Sequence, residues 1–375
     1  MDAASASWSP PLARGDIAPW FSAPLPDHDN FHFSTTVGRY VLLGFLPPPG
    51  AARDAAVAAF TAERARFDDV NLTAFMVLRD AASIAIARNQ IPGLRYYLDP
   101  DSRVSRLYGA VGADGAAHPQ WLLLDPMHRV LGAHPIEAAA TLFDEIRRLP
   151  PPADNAGVDL YAPVLIIPRV FEPELCRRLI ALYEAHGGEP SGVMRDIGGR
   201  TVGVMDGFKR RRDMNIEDLD LRTELRRRLE RRLMPEIRKV FQFDPTRLER
   251  YIVACYDAAE GGFFRPHRDN ETRGTAHRRF AVSINLNAEA FEGGDLRFPE
   301  FGPRTYRPPT GGAVVFCCSL QHEATPVTAG RRYAFLPFLY DEAGQRIREA
   351  YHADVEADEA AAGQGAAAQG AAGTP

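Results

Sequence analysis

A chain of 375 residues, 45% of them hydrophobic, can supply two cores and is expected to hold two domains. Its formal charge of −5, from 44 basic and 49 acidic side chains, carries no general nucleic-acid signature, and no apolar run reaches the roughly eighteen residues of a membrane span. The start, Met1-Asp2-Ala3-Ala4-Ser5, lacks the basic and apolar regions of a secretory signal, and Cys176, Cys255, Cys317 and Cys318 show no zinc spacing and read as buried thiols, so a cytoplasmic setting without nucleic-acid or membrane partners is expected.

Residues 1–150 alternate strand-like and helix-like stretches. Tyr40 to Leu46 is a short apolar run closed by Pro47-Pro48-Pro49-Gly50 and predicts a buried strand. A helix is predicted from Ala51 to Phe67 and strands at Leu72 to Leu78 and Trp121 to Pro126, which together imply a mostly parallel α/β sheet. With Gly15-Asp16-x-Ala18-Pro19, Asp99-Pro100-Asp101, Tyr108-Gly109 and Asp125-Pro126 in that order, the stretch resembles the thioredoxin-like peroxiredoxins. Where that resemblance places a peroxidatic thiolate, after the first core strand, this chain has Pro47 to Asp54, and no cysteine precedes Cys176. A sulfenic acid needs a thiolate, so the expectation for 1–150 is a thioredoxin/peroxiredoxin-like domain that is not catalytic.

Clustered prolines at Pro150, Pro151 and Pro152 read as a linker. Beyond it, Val164 to Pro168 predicts a strand, and Glu172 to His186 a helix stopped by Gly187-Gly188. Leu219 to Val240 predicts a second helix interrupted near Pro235, whose arginines interleave with Glu224 and Glu230 as a solvated, ion-paired face. Strands are predicted at Tyr251 to Tyr256, Phe280 to Leu286, Asp295 to Phe298, Gly312 to Cys318 and Arg332 to Leu339. Many short strands after two helices fit, for 151–352, a mainly-β double-stranded β-helix (jelly roll) with supporting helices. The Ala-, Gly-, Gln-, Glu- and Asp-rich segment 353–375 offers little apolar surface and is expected to be disordered.

The chemistry centres on Arg265-Pro266-His267-Arg268-Asp269. Two residues apart on an extended strand, His267 and Asp269 face the same way. A His-x-Asp pair with one distant His is the facial ligand set of non-haem Fe(II) oxygenases, and His322 supplies the third ligand. Ten residues later Arg332 lies in an apolar strand whose alternation puts it on the face of Ala334 and Leu336, opposite Tyr333 and Phe335. A buried guanidinium calls for an anion such as a carboxylate.

Tyr256, Gly261-Gly262, His267 with Asp269, Gly293-Gly294-Asp295-Leu296, His322 and Arg332 together resemble the prolyl 4-hydroxylase group of Fe(II)/2-oxoglutarate dioxygenases, over about residues 160–345. The resemblance implies Fe(2+) on His267, Asp269 and His322, and 2-oxoglutarate with its far carboxylate on Arg332, Arg331 being the competitor, and Tyr256 beside it. It further implies L-ascorbate, O2 and a primary substrate hydroxylated at a C–H bond, with a prolyl residue of a polypeptide favoured.

Each signal has a plainer reading. Arg332 could pair with an acid of the core, Tyr256 could be a core tyrosine, and His277 reads as part of a solvated loop. Asn285 and Asn287 alternate with Ile284 and Leu286 and could both face the barrel interior. In the basic cluster Lys209-Arg210-Arg211-Arg212, Arg211 or Arg212 could reach the mouth of the site, which Arg210 to Arg212 and a mobile polar loop from Asn270 to Arg279 would flank. The rival functions are a thiol peroxidase derivative, which the missing cysteine opposes, and a jelly-roll binding module without oxygenase activity, which has no need of two histidines and an aspartate in ligand register.

Overall fold

The computed structural model describes residues 11–371. The Met1-to-Ser5 start lies outside them. Two compact units are formed, residues 1–162 with 299–303 and residues 163–298 with 304–375, so the division falls after Ala162 rather than at the proline run.

In the first unit the strand Tyr40–Phe45 is buried along its whole length because both of its faces are covered. Tyr40, Leu42 and Leu46 pack with Phe60, Trp121 and Phe143, while Val41, Leu43 and Phe45 pack with Phe33, Tyr97 and Tyr108. Gly44 is required there, since a Cβ would stand 2.6 Å from both Met76 Sδ and the Trp121 ring. The five-stranded sheet runs Leu94–Leu98, Leu72–Leu78, Tyr40–Phe45, Gln120–Leu124, Val130–Pro135. The first three strands are parallel, but the last two join antiparallel, which corrects the expectation of a mostly parallel sheet. Gln120–Leu124 and Val130–Pro135 are linked only by the turn after Leu124, where Asp125 Oδ1 accepts from Met127 N and Arg129 N, and a connection that short cannot make a parallel crossover. The predicted helix from Ala51 ends at Ala62 and gives way to a 3-10 turn, Arg64–Arg66. The peroxiredoxin-like motif residues have structural work: Asp99 accepts from Val104 N and Ser105 N at the start of a short helix, and Tyr108 donates to Pro19 O.

The second unit has two large antiparallel sheets and a separate hairpin, Val193–Ile197 with Arg200–Val204. The ten-stranded sheet includes, in order, Phe338–Tyr340, Phe280–Asn285, Val327–Phe335, Ile252–Asp257 and Arg212–Asn215, with Ala313–Cys317 paired to Phe280–Asn285. One face, carrying Val253, Cys255, Val282, Ile284, Tyr333 and Phe335, packs with Leu175, Leu179, Leu225, Leu229 and Ile237 of the helices Pro173–His186, Leu219–Arg232 and Met234–Phe241. Alternation therefore turns Ala254, Tyr256, Ser283, Asn285 and Arg332 to the opposite face. The five-stranded sheet runs Lys209–Arg210, Phe263–His267, His322–Ala324, Leu296–Arg297, Thr305–Tyr306. At Arg211 the chain passes from this smaller sheet to the larger one. Two all-antiparallel sheets with helices covering one face fit the expected jelly roll with supporting helices.

The predicted helix break is present. Leu233 separates the two helices, with Pro235 in the first turn of the second, where its missing N–H leaves no bond unmade. The strand predicted from Arg332 to Leu339 is instead two, ending at Phe335 and restarting at Phe338 around Pro337. The segment expected to be disordered from Ala353 is corrected as far as Ala371. It continues one helix, Glu342–Ala371, because Ala, Glu and Gln carry the smallest intrinsic helix penalties, and the last four residues lie outside the described set. Among the described residues no helix is long and apolar enough to cross a membrane.

Candidate metal centre

His267 ends the strand Phe263–His267, and His322 opens the neighbouring strand directly opposite it in register. Asp269 follows in the loop, held by its backbone N–H on Cys318 O at 3.0 Å. The three side chains converge. Asp269 Oδ1 lies 3.6 Å from His267 Nε2, Oδ2 lies 3.3 Å from His322 Nε2, and all three ligand atoms fall within 4.8 Å of one another. Two donors bound at right angles about 2.1 Å from one ion stand about 3 Å apart, so the set fits an ion with a slight contraction.

Each ring is oriented by its own strand. His267 Nδ1 donates to Arg265 O at 2.8 Å, and His322 Nδ1 donates to Leu320 O at 3.0 Å. A proton fixed on Nδ1 leaves the Nε2 lone pair aimed at the centre, the usual outer support of a metal-ligating histidine. Phe264 stacks on His267 with 3.5 Å between centroids, which restrains the ring further. Burial, then the neighbouring His322, pushes the His267 pKa down to about 4. Burial opposes ionisation of Asp269, but His322 and His267 outweigh it and hold its carboxyl well below the ordinary range. An uncharged His267 imidazole and an ionised Asp269 carboxylate are what metal binding requires of these two ligands.

Arg332 is 3% exposed and faces inward, as its alternation predicts. It donates to Gly294 O at 2.8 Å and Ser283 Oγ at 2.9 Å, but forms no ion pair with a carboxylate among the described residues. Arg331 points to the surface and pairs with Asp257 and Glu184. The Tyr256 ring lies 5.3 Å from the Arg332 guanidinium and 5.8 Å from that of Arg211, and its hydroxyl accepts from Arg211 Nη1 at 3.4 Å. Asn285 is buried, donating to Pro308 O, whereas Asn287 is turned the other way and caps backbone groups of Arg331 and Tyr333, so only one of the two faces the interior.

Two readings of charged residues are corrected. Arg211 does not rim the site but, like Lys209, is buried, because Lys209, Arg211 and Asp213 share one side of an extended segment. Arg211 pairs with Asp213 at 2.6 Å, and Lys209 donates to Ser191 Oγ and Gly192 O. The one sequence signal for them is that period of two, masked by the exposed Arg210. Likewise His277 is not solvated: Glu249 accepts from its Nε2 at 2.7 Å and from Arg278 Nη2 at 2.6 Å, so the end of the supposed mobile loop is a buried ionic knot.

Residues 251–340 match the sequence model of the 2OG-Fe(II) oxygenase superfamily. The C-terminal region is a 2OG-Fe(II) oxygenase domain. Tyr256, His267, Asp269, His322 and Arg332 all fall within the match, while Lys209 and Arg211 precede it. Curated relatives include PKHD-type hydroxylases of Hyphomonas neptunium, 25% identical, and Synechococcus sp. (strain JA-2-3B'a(2-13)), 26% identical, each over 101 residues covering 25% of this chain. The chain spans 44% of the length of these relatives. Similar solved structures include a Pseudomonas putida prolyl-4-hydroxylase (20% identity, 54% of this chain and 98% of that one, TM-score 0.36). Another is a Trichoplax adhaerens prolyl hydroxylase (18% identity, 49% and 86%, TM-score 0.40). A thiol:disulfide interchange protein DsbE of Chlorobium tepidum is similar at 23% identity, covering 36% and 96%, with a TM-score of 0.30.

Proposed function

We propose that the protein is an Fe(II)- and 2-oxoglutarate-dependent dioxygenase that hydroxylates a C–H bond. The carrying observation is the convergence of His267, Asp269 and His322 with both imidazoles locked from behind by backbone carbonyls. These three would hold Fe(2+), which when bound supplies the oxidative chemistry that couples O2 and 2-oxoglutarate to hydroxylation, with succinate and carbon dioxide as co-products. The family description itself names the metal and the co-substrate.

The chain's own part is to bind, orient and keep the site dry. Arg332 would take the far carboxylate of 2-oxoglutarate, since a buried guanidinium with only neutral acceptors gains most from an arriving anion. Tyr256 would line the same pocket through its hydroxyl. L-ascorbate as a supporting reductant, and a prolyl residue of a polypeptide as substrate, rest on the sequence resemblance. The polar loop first read as a flexible peptide rim gives that substrate no support, because Thr275, His277 and Arg278 are buried.

We infer that the first unit is thioredoxin-like but has no peroxidase chemistry. Its central first strand, with parallel neighbours on one side and an antiparallel hairpin on the other, supports the fold, and the cysteine-free stretch 1–150 supports the loss of activity. Three buried free thiols, Cys176, Cys255 and Cys318, suit a reducing cytoplasm. The test of the main reading is succinate formation from 2-oxoglutarate, expected only with Fe(II) and lost in His267→Ala and Asp269→Ala. Undiminished turnover in both variants would overturn it.

A further inference from the structure

The charges around the site do not balance with the groups so far assigned. If Fe(2+) is held by Asp269 and the chelating carboxylate of 2-oxoglutarate, the centre is neutral, and the far carboxylate neutralises Arg332. Arg211 is paired with Asp213, and Glu249 with Arg278. Arg250 is left over as a cation, and Lys209 as a buried amine whose protonated form has no anion to hold it. Lys209 donates only to Ser191 Oγ and Gly192 O, and Arg250 only to Leu336 O; neither forms an ion pair with a carboxylate among the described residues.

Each lies near the metal ligands by its own route: Arg250 stands 4.3 Å from the Phe338 ring centroid, Arg278 stands 4.0 Å from that same ring, and Arg278 Nη1 donates to Asp269 O at 3.2 Å. Lys209 Nζ lies 4.9 Å from the Phe264 ring centroid, and that ring stacks on His267. Arg211 stands over the same ring at 6.0 Å. The Lys209 pKa is pushed down to about 6, by burial first and then by the charges of Arg211 and Arg250, and burial with Arg278 and Arg211 lowers Arg250 to about 10. Polar atoms there are also unmatched: Arg211 Nε and Arg250 Nε are buried without a hydrogen-bond partner. Buried guanidinium donors without acceptors are costly unless something arrives to accept from them.

Resting on the dioxygenase reading, we propose that the primary substrate carries a carboxylate, which Lys209 and Arg211 on Phe264, with Arg250 on Phe338, receive beside the metal centre. Lys and Arg donors in a site shielded from water favour a carboxylate over its amide, because the amide brings no charge and its NH2 meets donors. The carboxylate could be the main-chain terminus of a prolyl residue or an acidic side chain next to it.

Binding distinguishes these sources. The full chain, loaded with Fe(II) and saturated with 2-oxoglutarate without oxygen, is titrated calorimetrically with N-acetyl-glycyl-proline and its carboxamide, then with N-acetyl-prolyl-glutamate amide and the glutamine counterpart. The carboxylate member of one pair is expected to bind about tenfold more tightly or better, one charge-assisted hydrogen bond being worth roughly that factor. Preference in the first pair assigns the terminus, and in the second the side chain. Lys209→Gln and Arg250→Gln are expected to shrink the preference. Equal binding within both pairs, or no binding of any probe while 2-oxoglutarate still binds, overturns the proposal; so does a preference that survives in both folded variants. If the variants lose affinity for 2-oxoglutarate while the wild type shows no probe preference, the cluster is the co-substrate anchor instead. Failure of the wild type to bind 2-oxoglutarate overturns the dioxygenase reading itself, and this proposal with it.

Discussion

At the scale of single residues, Arg332 and Arg331 are adjacent in sequence but opposite in environment, one buried against neutral acceptors and one ion-paired at the surface. Arg332→Gln is expected to raise the 2-oxoglutarate concentration for half-maximal succinate formation by at least about tenfold, for a charge-assisted contact of roughly 1.5–3 kcal/mol, while Arg331→Gln changes it little. A shift confined to the Arg331 variant in that titration would contradict the assignment. Glu249 belongs to a different class of buried charge. Burial opposes its ionisation, but His277 and Arg278 hold its carboxyl well below the ordinary 4.5. A carboxyl depressed in the folded state adds stability that is present above the unfolded pKa and lost as pH falls toward the folded one. Urea midpoints of the wild type should therefore fall steeply below about pH 4.5, whereas Glu249→Gln should start lower at neutral pH and show a shallower acid slope. Parallel pH curves for the two proteins would show that Glu249 is not a stabilising carboxylate.

At the scale of elements, the metal centre depends on the pairing of two short strands, and its precision on what packs around them. Because His267 and His322 stand opposite each other and Asp269 is tied to Cys318 O, a metal ion would clip together segments distant in sequence. Fe(II), or Mn(II) as a redox-stable substitute, should raise the thermal midpoint, by the equivalent of about 2.7 kcal/mol at a hundred times the dissociation constant, and should fail to do so in His322→Ala. An unchanged midpoint in the wild type under differential scanning calorimetry would argue against a metal site there. The helix layer acts separately. Leu229 is fully buried against the large sheet, so Leu229→Ala should cost about 2–5 kcal/mol in denaturant unfolding while the folded fraction keeps its iron affinity. Most of this layer was legible from the chain, including the break near Pro235, since apolar spacing and proline act locally. The Glu342–Ala371 helix was not, because weak apolar content speaks for disorder while helix propensity speaks for a helix.

For the whole molecule, thiol chemistry is expected to be absent. No cysteine precedes Cys176, and burial pushes the Cys176 and Cys255 thiols up to about 11 and raises Cys318 as well, so these three carry little thiolate at neutral pH and only Cys317 is partly exposed. The iron-free full chain given a thiol donor should consume hydrogen peroxide no faster than buffer; consumption abolished by thiol alkylation would refute this.

The amino-acid pattern alone already named the candidate ligand set, the inward face of Arg332 and the lack of a cysteine before Cys176. His-x-Asp spacing, period-two alternation and composition are local properties and survive any packing. Tertiary structure alone decided the fate of the charges. Lys209-Arg210-Arg211-Arg212 reads as one basic run until a strand crosses between two sheets at Arg211 and alternation buries every second cation. His277, ordinary in a polar loop, becomes half of a buried ionic knot because Glu249, on a distant strand, arrives beside it. Burial of a charge depends on which partner the fold brings to it, and that partner is never within reach of a local pattern.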